Sequence, residues 1–257
     1  MKTYQIESSS NEKIKYLKKL NTKKTRDKSG HFLVENLLII HDALKSGIKP
    51  VSLFVEIEAR RDDDERMRYV LGNIDECFVI TPQINKSFSS LTTPSGICAV
   101  FEKKEEEIDY EEKIIYLNSV SDPGNLGTIL RTALAFDIKN IVVDENCADI
   151  YNPKTISAAK DAVLKLRISH DKDLKILNKI KKKMKVYATS MEGDDDIEKF
   201  KKEKQFCMVF GNEANGVSDE ILEIADGLIK INMNDKIESL NVAISAGIIM
   251  HEIYGSN

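Results

Sequence analysis

Short apolar runs alternate with stretches of helical period along most of this 257-residue chain. In the N-terminal part, Ile14, Leu17 and Leu20 recur at helical spacing among lysines, which predicts an amphipathic helix. HFLVE (31–35), VSLFVE (51–56), CFVI (77–80) and GICAVF (96–101) read as strands, with helices expected over 36–46, 58–71 and 82–90. Together they make a small α/β unit over residues 1–102. Residues 103–112 then lie in a run of charge with no apolar period, the mark of a linker. In the remainder, 113–257, IIYLNSV, NIVVD, VYATS and CMVFG read as strands. Helices are expected over 128–136, 151–166, 172–183, near Ile197 and over 218–225. The last strand holds Leu228, Ile229 and Ile231; the last helix opens at Glu238-Ser239-Leu240-Asn241 and is apolar almost all round, a pattern expected of a buried helix. Strands separated by helices predict a mainly parallel sheet covered on both faces.

Composition narrows the class. The chain is 42% hydrophobic with a net charge of −4 and a pI near 5.7, so it holds a core and lacks a global basic field. Any nucleic-acid contact must be local, and Lys13, Lys15, Lys18, Lys19, Lys23, Lys24, Arg26 and Lys28, set against Glu12 and Asp27, supply a patch that could displace counterions from RNA. Lysines near 179–185 and 199–204 could extend it, although a solvated face explains them as well. Cys77, Cys98, Cys147 and Cys207 form no CxxC, and the histidines are equally scattered, so neither a zinc site nor a disulfide framework is expected. The first residues lack a signal-peptide core and no run approaches a membrane span. A soluble cytoplasmic protein is expected.

Three strand-end loops carry candidate chemistry. NSVSDPGNLGTILRTALAF (118–136) is a strand, a glycine-bearing turn and a helix start, without GxGxxG or GxxxxGK[ST]. Its Arg131 falls among apolar Leu126, Ile129, Leu130 and Ala133, where burial would require an anionic partner. VFGNEANGVS (209–218) places Gly211 and Glu213 just past a strand, where open α/β sheets bind ligands. IKINMNDKIESLNVAISAGIIMHEI (229–253) puts Ser239 and Asn241 at the mouth of the last helix.

In this order and spacing, the three stretches resemble the motifs of the SpoU/TrmH family of RNA ribose 2′-O-methyltransferases, within the SPOUT superfamily. Residues 14–35 and 91–102 resemble the same family's N-terminal domain, which is similar to a ribosomal-protein RNA-binding fold. The resemblance implies a trefoil-knotted C-terminal domain that binds S-adenosylmethionine and works as a homodimer, without a metal, on structured RNA, with rRNA favoured over tRNA. It also implies that Gly211, Ile231, Met233, Leu240 and Asn241 contact the cofactor, and that Asn125, Arg131, Glu213, Ser239 and Asn241 form the catalytic group. Because a guanidinium is almost never deprotonated, Arg131 suits a phosphate clamp and a stabiliser of alkoxide charge better than a general base. Departures from the family pattern at Ser157, Lys160, Asp161, Asn232 and Asp137 bear on the RNA-facing surface more than on the cofactor pocket. The rival readings are a non-catalytic RNA-binding or ribosome-assembly protein and a small-molecule enzyme of ordinary doubly wound fold.

Overall fold

The computed structural model describes residues 1–59, 64–193, 203–212, 214–234, 236 and 239–254. The chain divides into two compact units, Met1–Lys104 with Tyr151–Ile156, and Glu105–Ile150 with Ser157–Asn257.

In the first unit β1 (Lys2–Ile6), β2 (His31–Val34), β3 (Ser52–Glu56), β4 (Glu76–Ile80) and β5 (Ile97–Glu102) form a mixed sheet in the order β1-β4-β3-β5-β2. Helices α1 (Glu12–Leu20), α2 (Lys23–Ser29), α3 (Leu37–Lys45), α4 (Glu65–Gly72) and α5 (Pro82–Phe88) connect them. The Asn11 side chain caps α1 by accepting the Lys13 N–H, and Glu12 at the start with Lys18 and Lys19 at the end match the helix dipole. Ile14, Leu17 and Leu20 are all buried against the sheet core. Arg26 does not belong to the lysine surface: it is only 3% exposed and donates to the Leu20 carbonyl at 2.8 Å. The helix expected over 58–71 begins later, because Ile57–Ala59 is a 3-10 turn and Asp64 caps α4 through the Arg66 and Met67 N–H groups. Strand β1 went unpredicted; it is an edge strand of which only Ile6 is buried. Tyr151 belongs with this unit, its ring 4.5 Å from that of Phe32 and beneath the Lys103 ammonium.

The second unit is a six-stranded sheet in the order β11-β9-β10-β6-β7-β8. Its strands are β6 (Ile114–Leu117), β7 (Asn140–Asp144), β8 (Arg167–Asp171), β9 (Val186–Thr189), β10 (Cys207–Phe210) and β11 (Gly227–Ile229), and every pairing is parallel. The central strands β6, β7 and β10 are buried throughout, as continuous apolar runs require when both sheet faces are covered. Its described helices are α6 (Pro123–Ala135), the second half of α7 (Pro153–Ala159), α8 (Ala162–Lys165), α9 (Lys175–Lys181), α10 (Asp219–Ile224) and α11 (Val242–Tyr254). The single helix expected over 151–166 is two, broken where Lys160 turns left-handed at φ 58°. Edge strand β8 was not expected; its Asp171 is buried and accepts the Ile176 and Leu177 N–H groups at the start of α9. The helix expected near Ile197 lies outside the described residues. Ile231 falls beyond β11, which ends at Ile229.

The last helix corrects the expectation of burial. Val242, Ala243, Ala246, Ile249, Met250 and Ile253 are buried, but Ile244 is 55% and Ile248 36% exposed. Composition marks a helix as apolar; it does not say whether the covering surface comes from the same chain. Among the described residues no helix is long and apolar enough to cross a membrane, and none of the four cysteines is paired.

Candidate active site and cofactor cavity

The loops at the carboxyl ends of β6, β7 and β10 are tied together by a buried carboxylate. One oxygen of Asp144, at the end of β7, accepts Asn118 Nδ2 at 2.8 Å, the Ser119 N–H at 2.9 Å and Ser119 Oγ at 3.2 Å. Its other oxygen accepts the N–H groups of Asn146 at 3.0 Å and Cys147 at 2.9 Å. Asn118 then reaches across to the loop after β10, its Oδ1 accepting the Ser218 N–H at 2.9 Å, while Asn212 Nδ2 donates to the Ser119 carbonyl at 2.8 Å. Ser119 takes up φ 58°, a left-handed strain the network offsets. Sequence reasoning missed Asp144 and used Asn118 only as the start of a motif; an acidic residue closing an apolar strand was the available signal. Asp144→Ala strands several buried donors, and we expect chemical denaturation to show a loss of about 3 kcal/mol. A loss below about 1 kcal/mol would mean that water substitutes for the carboxylate. Beside it the Cys147 thiol donates to the Leu117 carbonyl at 3.2 Å, and burial, reinforced by the Asp144 carboxylate, pushes it well above the usual thiol range. A thiol held protonated in this way is a poor nucleophile.

Helix α6 starts directly at the turn. Asp122 caps it by accepting the Asn125 N–H at 2.8 Å, and Pro123 occupies the first turn, where its missing N–H costs nothing. Asn125 meets Asn241: the Asn241 amide donates to Asn125 Oδ1 at 3.0 Å, and Asn241 Oδ1 accepts the Ala243 N–H at 2.9 Å, capping α11. Two motifs more than a hundred residues apart are thus joined at the N-termini of two packed helices.

Arg131 is placed differently from expectation. Leu126, Ile129, Leu130 and Ala133 are fully buried on the other side of α6, whereas Arg131 is exposed with Thr128 one turn before it. The burial cost inferred from its apolar neighbours is therefore absent, and among the described residues no carboxylate pairs with it. It is a guanidinium held in solvent on the helix that carries Asn125. Glu213 lies outside the described residues.

Gly211, Ile231, Met233, Ser239 and Leu240 line one cavity of about 560 Å³, at the carboxyl ends of β9, β10 and β11. Asn125, Arg131 and Asn241 are not in its wall. Gly211 sits so close to the returning loop that a Cβ there would lie 2.1 Å from the Gly216 carbonyl carbon. That loop closes on itself through reciprocal Asn212–Gly216 backbone bonds of 2.8 and 2.9 Å. The wall after β9, with Thr189, Ser190 and Glu192, was not foreseen. Nor was Gly193, where a Cβ would lie 2.5 Å from the Leu228 carbonyl oxygen; the lone glycine after VYATS was its only trace. Ile229, Leu222, Val242 and Phe210 add apolar wall, while Ser190, Asn212, Asn215 and Ser245 add polar groups. Such a volume with a mixed lining suits one cofactor-sized molecule.

A parallel α/β sheet with a glycine-pinched cavity at its strand ends and an asparagine pair beside it defines a cofactor-dependent α/β enzyme fold. The chain belongs to the SpoU rRNA Methylase family, which residues 112–251 match; residues 11–99 match the MRM3-like substrate binding domain. Among its relatives, 23S rRNA (guanosine(2553)-2′-O)-methyltransferase RlmP of Bacillus subtilis (strain 168) is 31% identical over 252 residues, covering 98% of this chain and 99% of that protein. A crystal structure of an RNA 2′-O ribose methyltransferase superposes with a TM-score of 0.82 at 26% identity, covering 98% of each chain. The AdoMet-bound rRNA methyltransferase from Sinorhizobium meliloti superposes with a TM-score of 0.85 at 25% identity, covering 98% of this chain and 97% of that one.

Proposed function

We propose that this chain transfers the methyl group of S-adenosylmethionine to a ribose 2′-hydroxyl of ribosomal RNA. The observation that carries the reading is the cavity formed by Gly211, Ile231, Met233 and Leu240, in a chain that aligns end to end with a 23S rRNA 2′-O-methyltransferase. Its residues fit the cofactor: the apolar side chains of Leu222, Ile229, Ile231, Met233 and Leu240 suit an adenine ring, and Gly211 lets backbone groups approach it. When bound, the cofactor supplies an electrophilic methyl on a sulfonium, which leaves the protein to align an oxygen nucleophile and handle its proton. Asn125 and Asn241 orient the ribose, Ser239 completes the mouth, and Arg131 clamps a neighbouring phosphate and stabilises developing alkoxide charge. Glu213 positions that arginine or its loop.

RNA is held in part by the first unit, where Lys13, Lys15, Lys18, Lys19, Lys23, Lys24 and Lys28 are exposed along α1 and α2. The same reading includes the knot. Its support is that β10 enters between β6 and β9 after both are laid down, with Gly193 tight against Leu228. It also includes a homodimer: Ile244 and Ile248, one turn apart, leave an apolar strip of α11 uncovered in the single chain. Ile244→Glu should convert a sedimenting dimer to monomer, and a wild-type monomer at micromolar concentration would exclude the dimer.

The test of the activity is transfer of labelled methyl to separated rRNA and tRNA from cells lacking this protein. Label confined to rRNA is expected. Label in tRNA alone would overturn the substrate, and cofactor binding without label in RNA or pre-ribosomal particles would favour a non-catalytic role.

A further inference from the structure

The described wall of the cavity carries two carboxylates, Glu192 from the turn after β9 and Asp219 from the first turn of α10, and no Lys, Arg or His. They come from separate loops, and each loop is fixed to the sheet. The Glu192 N–H donates to Ser190 Oγ at 3.1 Å, and the next residue, Gly193, is packed against the backbone of Leu228. Asp219 follows Ser218, whose N–H is bonded to Asn118 Oδ1 at 2.9 Å. Both side chains are exposed, so their charge acts on an occupant partly through solvent.

We propose that Glu192 and Asp219 make the cavity select the sulfonium cofactor over its thioether product by charge, so that methyl transfer itself loosens the spent molecule. The inference rests on the cofactor reading above. In the transfer, the methyl carbon–sulfur bond breaks with its electron pair left on sulfur, a carbon–oxygen bond forms at the ribose, and the hydroxyl proton departs to solvent. The cavity's occupant thereby changes from a net cation to a neutral zwitterion of almost the same shape. Apolar walls barely tell the two apart; a pair of carboxylates in a described wall without Lys, Arg or His can.

The experiment is calorimetric titration of the full chain and of Glu192→Gln/Asp219→Asn with S-adenosylmethionine, S-adenosylhomocysteine and sinefungin, in which an ammonium-bearing carbon replaces the sulfonium. In the double variant the two cationic ligands should weaken about five- to tenfold and S-adenosylhomocysteine less than about twofold. For the wild-type chain, independent of any variant, the preference for S-adenosylmethionine should shrink as salt is raised. Equal weakening of all three ligands would overturn the proposal, because it would mean that the carboxylates accept ribose hydroxyls. A salt-independent preference, or no change in the variant, would also overturn it. No binding of any ligand to the wild-type chain would remove the cofactor reading and this inference together.

Discussion

Arg131→Ala should lower methyl transfer to rRNA by at least about 100-fold while leaving affinity for S-adenosylmethionine within about twofold. The split follows from where the residue stands. Arg131 is exposed and absent from the cavity wall, so truncating it removes neither a cofactor contact nor a piece of core. It stands on the helix that begins at the Asp122 cap and carries Asn125, whose side chain is bonded to Asn241. A bidentate guanidinium there can hold a phosphate and face alkoxide charge, whereas an ammonium offers only a point charge. Arg131→Lys should therefore recover less than about a tenth of the wild-type rate. Unchanged thermal melting of both variants would confirm that the loss is chemical. Near-full transfer by Arg131→Lys would sink the clamp, and by Arg131→Ala would remove the residue from the catalytic group.

How much of this was legible in the chain depends on where each residue sits in the sheet. Central strands β6, β7 and β10 are apolar at nearly every position because both faces are covered, and continuous runs are easy to read. Edge strands β1 and β8 carry TYQ and RISH, with few buried positions, and nothing local separates them from loops. The same limit hid the environment of Arg131. Apolar neighbours at 126, 129, 130 and 133 share the opposite face of α6, so proximity in sequence meant separation around the helix.

Site residues were legible only as motifs. The resemblance grouped Asn125 with Asn241, but their hydrogen bond spans 116 positions and depends on two helices meeting at their N-termini. Asp144 and Glu192 were missed because their roles are relational: an acidic residue at the end of an apolar strand says nothing of its partners. One gathers five donors from four residues, and the other has meaning only beside a wall whose described residues include no Lys, Arg or His.

Gly211→Ala should abolish detectable binding of S-adenosylmethionine, a loss of more than about 100-fold, and with it all methyl transfer. A Cβ at this position would lie 2.1 Å from the Gly216 carbonyl carbon and 2.2 Å from the Val217 nitrogen. Both obstacles are backbone, so no side chain can rotate away and the loop from Asn212 to Val217 must move. The described residues of that loop form a continuous part of the cavity wall and are fixed to Ser119 and Asn118 through Asn212 and Ser218. Displacing the loop therefore deforms the cavity and pulls on the Asp144 network at the same time. Gly216→Ala is the informative contrast. There φ is +68°, yet no atom lies within 4 Å of the added carbon, so the cost is left-handed strain of about 1 kcal/mol without a clash. Cofactor affinity should fall only a few-fold in that variant. If calorimetry found Gly211→Ala no weaker than Gly216→Ala, close backbone approach would not be what shapes this cavity, and its occupant would have to be held from the β9 and β11 side alone.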